Sequence, residues 1–250
     1  MSSIMPPQSL EVFQRQIIMP DIGPQGQLAL ARATVGVVGA GGLDFPVLSY
    51  LAAAGVGNIK VIDSDSVNMT NLNRQLFYTS ADVGAYKSPI AAEQLSSRFP
   101  STQVVASVSR MTAKNVGSLL EGCTIVIDAV DNLESRYVLS RWAVTTATPV
   151  VFGAVEELRG AIYVYDPGLD SAPCYECVFP RRHKPQTNPI PILGATAGIV
   201  GSWQAAEAIM YLCNHRHSQT SLIHIDIKHA TLTRRPCARR ADCFCQQGRS

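Results

Sequence analysis

At 250 residues, with a net charge of +2, 46% hydrophobic and 16% charged residues, the chain has the length and apolar content for an ordered α/β core that needs no covalent staples. A charge so near neutral excludes the broad basic field of a general nucleic-acid or membrane-surface binder. The first eight residues carry neither a basic segment nor an apolar core, so they do not form a signal peptide, and a cytoplasmic setting is expected.

In chain order, residues 11–33 predict a helix, a loop around Gly23-Pro24 and a second short helix. The apolar run 35–38 breaks into Gly39, Gly41 and Gly42, and an Ala-rich segment follows over 43–54. That order predicts a buried strand, a tight turn and a helix whose free N–H groups and positive dipole end suit a phosphate. A second strand, 58–63, ends in Asp63, roughly 20 residues beyond the turn, where a Rossmann-type unit places the acid that binds ribose. The polar loop 68–76 is too long for a mere connection. A helix over 88–99 starts just after Lys87, a strand covers 103–108, and a helix spans about 113–121.

The buried strand 124–130 brings Asp128 and Asp131 to its carboxyl end, where open parallel sheets bind ligands. A helix over 133–146, strands at 149–153 and 160–165, a proline-rich loop over 173–191, a helix over about 196–214, and a hairpin turning at Lys228-His229 complete the pattern. The apolar stretch 190–213 is interrupted by Ser202, Gln204 and Glu207, which suits a buried helix better than a membrane span.

Asp63, the loop with Asn71, Arg74 and Gln75, Lys87, and Asp131 could converge on a nucleotide, with Asp131 offering oxygen to Mg²⁺ and the cations offsetting phosphate charge. Each also has a plainer reading: Arg74 and Lys87 as surface charges, Asp131 as the cap of the helix near Leu133. The seven cysteines, at 123, 174, 177, 213, 237, 243 and 245, are clustered, which favours metal over a disulfide framework.

Nine blocks, in order along nearly the whole chain, carry a resemblance. They are Arg15-Gln-Ile17, Gly39-Ala-Gly-Gly-Leu43, Ala54-Gly-Val-Gly57, Asp63-Ser-Asp65, Asn71-Leu-Asn-Arg-Gln75, Gly84-Ala-Tyr-Lys87, Asp128-Ala-Val-Asp-Asn132, Cys174-Tyr-Glu-Cys177 and Gly201-Ser-Trp-Gln-Ala-Ala-Glu-Ala208. The chain resembles the ubiquitin-activating-like (ThiF/MoeB-type) adenylyltransferases that activate sulfur-carrier proteins for molybdopterin and thiamine synthesis. The resemblance implies a Rossmann-like, mostly parallel sheet with helices on both faces, a C-terminal antiparallel hairpin and a Cys-rich zinc element. It also implies one domain over 1–250, with a helical arm over 1–33, a nucleotide-binding core over 34–153 and a substrate-side and zinc region over 154–250. The activity implied is ATP- and Mg²⁺-dependent adenylylation of a C-terminal carboxylate of a ubiquitin-like carrier protein.

By motif position, the resemblance gives Gly39, Gly41, Gly42, Asp63, Asp65, Asn71, Gln75 and Asn132 to the nucleotide. It gives Arg74 and Lys87 to the phosphates, Asp131 to Mg²⁺, and Arg15 to the phosphates of the neighbouring protomer in a homodimer. Cys174, Cys177, Cys243 and Cys245 are the expected zinc ligands, although the tail pair is one residue narrower than the family's spacing and Cys237 is a possible substitute.

Two departures stand out. Asp44 occupies the place of the fingerprint's third glycine, and a carboxylate about 5 Å from a phosphate charge costs on the order of 3 kcal/mol at an effective dielectric of about 20. That is roughly a hundredfold in affinity, unless the side chain turns to solvent and caps the helix. Residues 181–194 contain no cysteine, Thr187 standing near the position where thioester-forming relatives carry one, so no thioester step is expected. The alternative function is a non-catalytic scaffold of the same fold silenced by Asp44. An NAD-dependent oxidoreductase would explain Asp63 but leaves Arg74, Lys87 and the cysteine pairs without a task.

Overall fold

The computed structural model describes residues 11–170, 172–181 and 190–246. Two short helices, α1 (Gln14–Ile17) and α2 (Gly23–Arg32), lead into β1 (Thr34–Val38), α3 (Asp44–Ala53), β2 (Asn58–Ile62), α4 (Lys87–Arg98), β3 (Gln103–Ser107), α5 (Val116–Leu119) and β4 (Ile125–Asp128). Then follow α6 (Leu133–Thr146), β5 (Val150–Glu156), β6 (Arg159–Tyr165), α7 (Tyr175–Val178), α8 (Gly194–Leu212), β7 (Ser221–Asp226) and β8 (Thr231–Pro236).

The strands form one sheet in the order β3-β2-β1-β4-β5-β6-β7-β8. The β3–β5 half is parallel, and β5 to β8 pair antiparallel. The pleat sends Val35, Val37, Ile59, Val61, Ile125, Ile127 and Val151 to one apolar layer with α2, α3, α4 and α8. Val38, Ile62, Val126, Val150 and Phe152 face the other layer, with α5, α6 and α7. Strands covered on both faces must be apolar almost throughout, which is why they stand out as β-branched runs. The order reverses between β1 and β4, and that switch point lies beside the glycine turn.

The expected mostly parallel sheet with helices on both faces is therefore present. Its antiparallel part is larger than a hairpin, taking in four strands. Two local readings need correction. The helix expected over 113–121 is the single turn α5, because Asn115 accepts from the Thr112 N–H (2.7 Å) just before it and Gly122, at φ +73°, ends it. The loop expected over 173–191 contains α7, wound between the two cysteines of its pair.

The long helix α8 is buried along Thr196, Ala197, Val200, Gln204, Ala205 and Ala208. Among the described residues no helix is long and apolar enough to cross a membrane. Gln204 Nε2 donates to the carbonyls of Asp128 (2.7 Å) and Val151 (3.2 Å), pinning α8 to the end of β4 and the first residues of β5. Gly201 lets α8 cross α3 closely: a Cβ there would overlap the Leu43 carbonyl oxygen, whereas a Cβ at Gly198 would meet open space.

Alanine is favoured over glycine inside a helix by about 1 kcal/mol, and overpacking costs about 1–3 kcal/mol. Gly198→Ala should therefore raise the urea midpoint, while Gly201→Ala should lower it by the equivalent of about 1–2 kcal/mol despite the same propensity gain. Equal shifts of the same sign would contradict the close α3–α8 crossing.

Candidate nucleotide site and cysteine cluster

β1 delivers the chain to Gly39, whose φ of +119° lies where side-chain-bearing residues are strained, and whose added Cβ would stand 2.9 Å from both the Ala129 carbonyl and Asp44 Oδ1. Beyond it the turn presents its amides inward. The Ala40 N–H donates to Asp63 Oδ2 (2.6 Å), and Asp63 Oδ1 accepts from the Asp65 N–H (2.6 Å). The Gly41 N–H donates to Asp44 Oδ2 (2.5 Å). The buried Tyr78 hydroxyl holds the Ala40 carbonyl (2.7 Å).

Asp44 thus neither turns to solvent nor caps α3, whose N-cap is Leu43 with no side-chain bond. Its carboxyl is fully buried under the turn, and its Oδ1 has no hydrogen-bond partner among the described residues. Burial pushes the Asp44 carboxyl well above the usual carboxylate range. The Gly41 N–H and Lys87 pull it back, and Asp63 and Asp128 push it further up. Burial also raises Asp63, against the Asp65 and Ala40 amides and Lys87.

Lys87 opens α4 almost fully buried, with Nζ 3.2 Å from the largely exposed Asp65 carboxylate. Gln75 is buried, and its Nε2 would lie 3.5 Å from a Cβ on Gly41. The stem of Arg74 runs beside Gly42, and its guanidinium donates to the Thr70 carbonyl and Asn73 Oδ1 (both 2.9 Å). Asn71 Oδ1 accepts from the Asn68 N–H (3.0 Å), so Asn71 stabilises the loop that carries Arg74 and Gln75.

After β4, Asn132 caps α6 by accepting from the Ser135 N–H (2.9 Å), which leaves the capping task with Asn132 rather than Asp131. Asp131 itself is exposed, with Asn132 Nδ2 3.4 Å from its Oδ1. The structure thus gathers Asp63, Asp65, Arg74, Gln75 and Lys87 around the glycine turn and sets Asp131 on the loop after the adjacent strand. Arg15 stands exposed on α1, and among the described residues no hydrogen bond or ion pair ties it to the turn. Thr187 lies outside the described residues.

Sequence reasoning missed two supports of this arrangement. Arg136, buried, donates through Nη2 to the Val130 carbonyl (2.6 Å) and lies 3.6 Å from Asp128 Oδ2, bracing the loop that ends in Asp131. Burial pushes the Asp128 carboxyl up to about 6, with Arg136 opposing. The signal was an arginine on the otherwise apolar face of a predicted helix. Tyr78 gave none, since nothing local announces a phenol that bonds a carbonyl 38 residues away.

A second cluster lies near the chain's end. Cys174 is the N-cap of the single turn α7 and Cys177 lies within it, and Cys243 and Cys245 bracket the start of a one-turn 3₁₀ helix at Phe244–Gln246. All four are buried with their sulfurs within 4.8 Å of one another, at 3.4 Å for Cys174–Cys243, 3.5 Å for Cys177–Cys245 and 3.9 Å for Cys174–Cys177. A tetrahedral zinc with Zn–S bonds of about 2.3 Å needs sulfur–sulfur edges of about 3.8 Å. The donor set fits that ion, and the narrow Cys-x-Cys is accommodated by the 3₁₀ turn. Burial pushes the Cys174 thiol up, a cost that a bound cation removes by taking the thiolates. The Arg240 N–H donates to Cys177 Sγ (3.4 Å), and Glu176 holds Arg141 (2.8 Å) and Arg181 (3.1 Å) beside the cluster. Cys237 lies outside this set.

A doubly wound sheet with a glycine turn and an acid at its switch point is the architecture of nucleotide-binding α/β proteins. The ThiF family model matches residues 13–246. The chain is 41% identical over 212 residues to a sulfur carrier protein adenylyltransferase of Thermus thermophilus, covering 82% of this chain and 78% of the relative. It is 36% identical over 245 residues to the SAMP-activating enzyme E1 of Haloferax volcanii, covering 96% and 90%. Among solved structures, E. coli MccB with MccA-N7isoASN superposes with a TM-score of 0.79 at 20% identity, covering 88% of this chain and 68% of that one, a likeness of fold. The chain belongs to the ThiF family, and with its relatives it is an adenylyltransferase.

Removing one partner of a buried hydrogen bond costs about 1–3 kcal/mol. Tyr78→Phe should therefore destabilise the chain by about 1–2 kcal/mol in urea unfolding, because the Ala40 carbonyl keeps its burial and loses its donor. An unchanged midpoint would mean the turn does not depend on Tyr78.

Proposed function

We propose that this chain adenylylates the C-terminal carboxylate of a ubiquitin-like sulfur-carrier protein, or a related peptide, at the expense of ATP. The single observation that carries the reading is the gathering of Asp63, Lys87, Gln75 and Arg74 around the glycine turn with Asp131 on the neighbouring strand end. The names of its relatives support the substrate class.

In this reading the glycine turn and Asp63 seat the nucleoside, with Asp63 accepting from the ribose hydroxyls. Arg74, Gln75, Asn71 and Lys87 contact the phosphates, and Arg74 must leave its loop carbonyl to do so. Asp131 would hold Mg²⁺, which neutralises phosphate charge and departing pyrophosphate. Arg15 of one protomer reaches the phosphates of the other in a homodimer, and residues 1–250 act as one adenylation domain. The attacking carboxylate, with an ordinary pKa of about 3.5, is already ionised. No general base is required, and the work left to these side chains is bringing two anions together in line.

The four cysteines hold a structural zinc, and the lack of cysteine in residues 181–194 supports a reaction that stops at the acyl-adenylate. An acid, Asp44, where the nucleotide fingerprint carries its third glycine supports a second reading, a scaffold that binds nucleotide poorly.

ATP–pyrophosphate exchange with carriers ending in Gly-Gly tests the first reading. Exchange in the native chain should fall by about 10²–10³ in Asp131→Ala and in Arg74→Ala. Silence in the native chain with recovery in Asp44→Gly would select the scaffold instead.

The zinc reading is tested by elemental analysis. One zinc per chain is expected, with loss of metal and a lowered melting temperature in Cys177→Ser; a metal-free native protein with an unchanged variant would refute it.

A further inference from the structure

We propose that Asp44 makes nucleotide binding proton-linked: the chain takes up its polyphosphate ligand together with a proton carried on the Asp44 carboxyl. The inference rests on the nucleotide reading and adds to it a residue that sets affinity.

The geometry leaves little choice. The Gly41 N–H, which a phosphate would seek at the amino end of α3, is held by Asp44 Oδ2 at 2.5 Å. The other oxygen, Oδ1, is buried and has no hydrogen-bond partner among the described residues, an arrangement that disfavours the charged form. The groups around it are predominantly acidic. Asp63 faces it from the end of β2 and Asp128 from the end of β4, while Lys87 faces it from α4. The Tyr78 hydroxyl, from the loop before α4, is neutral and turned to the Ala40 carbonyl. Lys87 is already paired with Asp65, Arg136 with Asp128, and the Arg74 guanidinium bonds its own loop. Bringing several phosphate charges to this turn adds like charge to a carboxylate that burial already disfavours, so the protonated form is the one that accepts the ligand. The neutral carboxyl still accepts the Gly41 bond through one oxygen, so α3 need not move.

The linkage has a definite sign. Nucleotide binds the protonated form better, so affinity is full at low pH and falls as pH rises through the ionisation of Asp44 in the free protein, at most tenfold per pH unit for one proton. The experiment is calorimetric titration of the dimerisation-competent full chain with Mg²⁺–ATP, without carboxylate substrate, from pH 6 to 9, for the native protein and Asp44→Asn. Asparagine keeps the size and the acceptor for Gly41 while removing the charge. The native dissociation constant should rise with pH relative to that of Asp44→Asn. At a pH where the nucleotide's own phosphates are fully ionised, the native binding enthalpy should depend on the buffer's ionisation enthalpy as net proton uptake requires, a measurement that needs no variant. Parallel pH profiles with no net uptake would overturn the proposal while leaving nucleotide binding intact. No binding by either protein at any pH would overturn the nucleotide reading, and this proposal with it.

Discussion

Two backbone N–H groups, those of Ala40 and Gly41, govern the architecture around them. The first is held by Asp63, at the end of β2, and the second by Asp44, at the start of α3. Because Asp63 also accepts from Asp65, this one carboxylate ties the turn after β1 to the turn after β2. Tyr78 then ties the Ala40 carbonyl to the loop bearing Arg74 and Gln75. Three segments far apart in sequence, and the start of α3, are fixed relative to one another by hydrogen bonds to two adjacent residues. A buried amide or carbonyl left unpaired is costly, so these bonds set the turn's shape as firmly as the apolar packing beneath it.

The same logic extends outward. Gln204 spends its amide hydrogens on the carbonyls of Asp128, where β4 ends, and of Val151, near the start of β5. Arg136 holds the Val130 carbonyl one step later. Both side chains are long and buried, and both bond carbonyls at or just beyond the end of β4. Apolar layers place α6 and α8 on opposite faces of the sheet, and these two polar side chains fix how the loop ending in Asp131 leaves it. At the other end of the sheet, the cysteine cluster joins α7 to the chain's tail, with arginines and Glu176 packed round it.

Much of this was legible in the sequence, and what was legible shares a cause. The strands 35–38 and 125–128 are buried throughout, so they appear as nearly continuous apolar runs, while 58–62 shows as Ile59, Val61 and Ile62 around a partly buried Lys60. Gly39 needs its positive φ, and the cysteine pairs must keep short spacings to meet. What escaped depends on contacts that no local pattern encodes. Tyr78 was invisible as a support because its partner is a backbone carbonyl set by tertiary placement, and Arg136 showed only as an arginine on a buried helix face, with its partners Val130 and Asp128 unannounced. The one-turn α7 was hidden among prolines, and α5 was overestimated because Asn115 and Gly122 punctuate it more strongly than propensity suggests. Asp44 was recognised as a departure, but its direction was not: the expected escape to solvent is replaced by burial beneath the turn.

That burial alters the consequence of having an acid at this position. An ionised carboxylate near a phosphate charge is opposed by about 3 kcal/mol at an effective dielectric of about 20, and an exposed acid, charged throughout the neutral range, imposes all of it. A group that can take a proton imposes no more than the free energy of protonating it at the ambient pH, about 1.4 kcal/mol for each unit by which pH exceeds its pKa. The ceiling on the penalty is whichever of the two is smaller. Every influence that raises the Asp44 carboxyl, burial first and then Asp63 and Asp128, lowers the second quantity. The enclosure that makes this aspartate an improbable substitute for glycine is therefore what lets the turn retain it and still receive an anion.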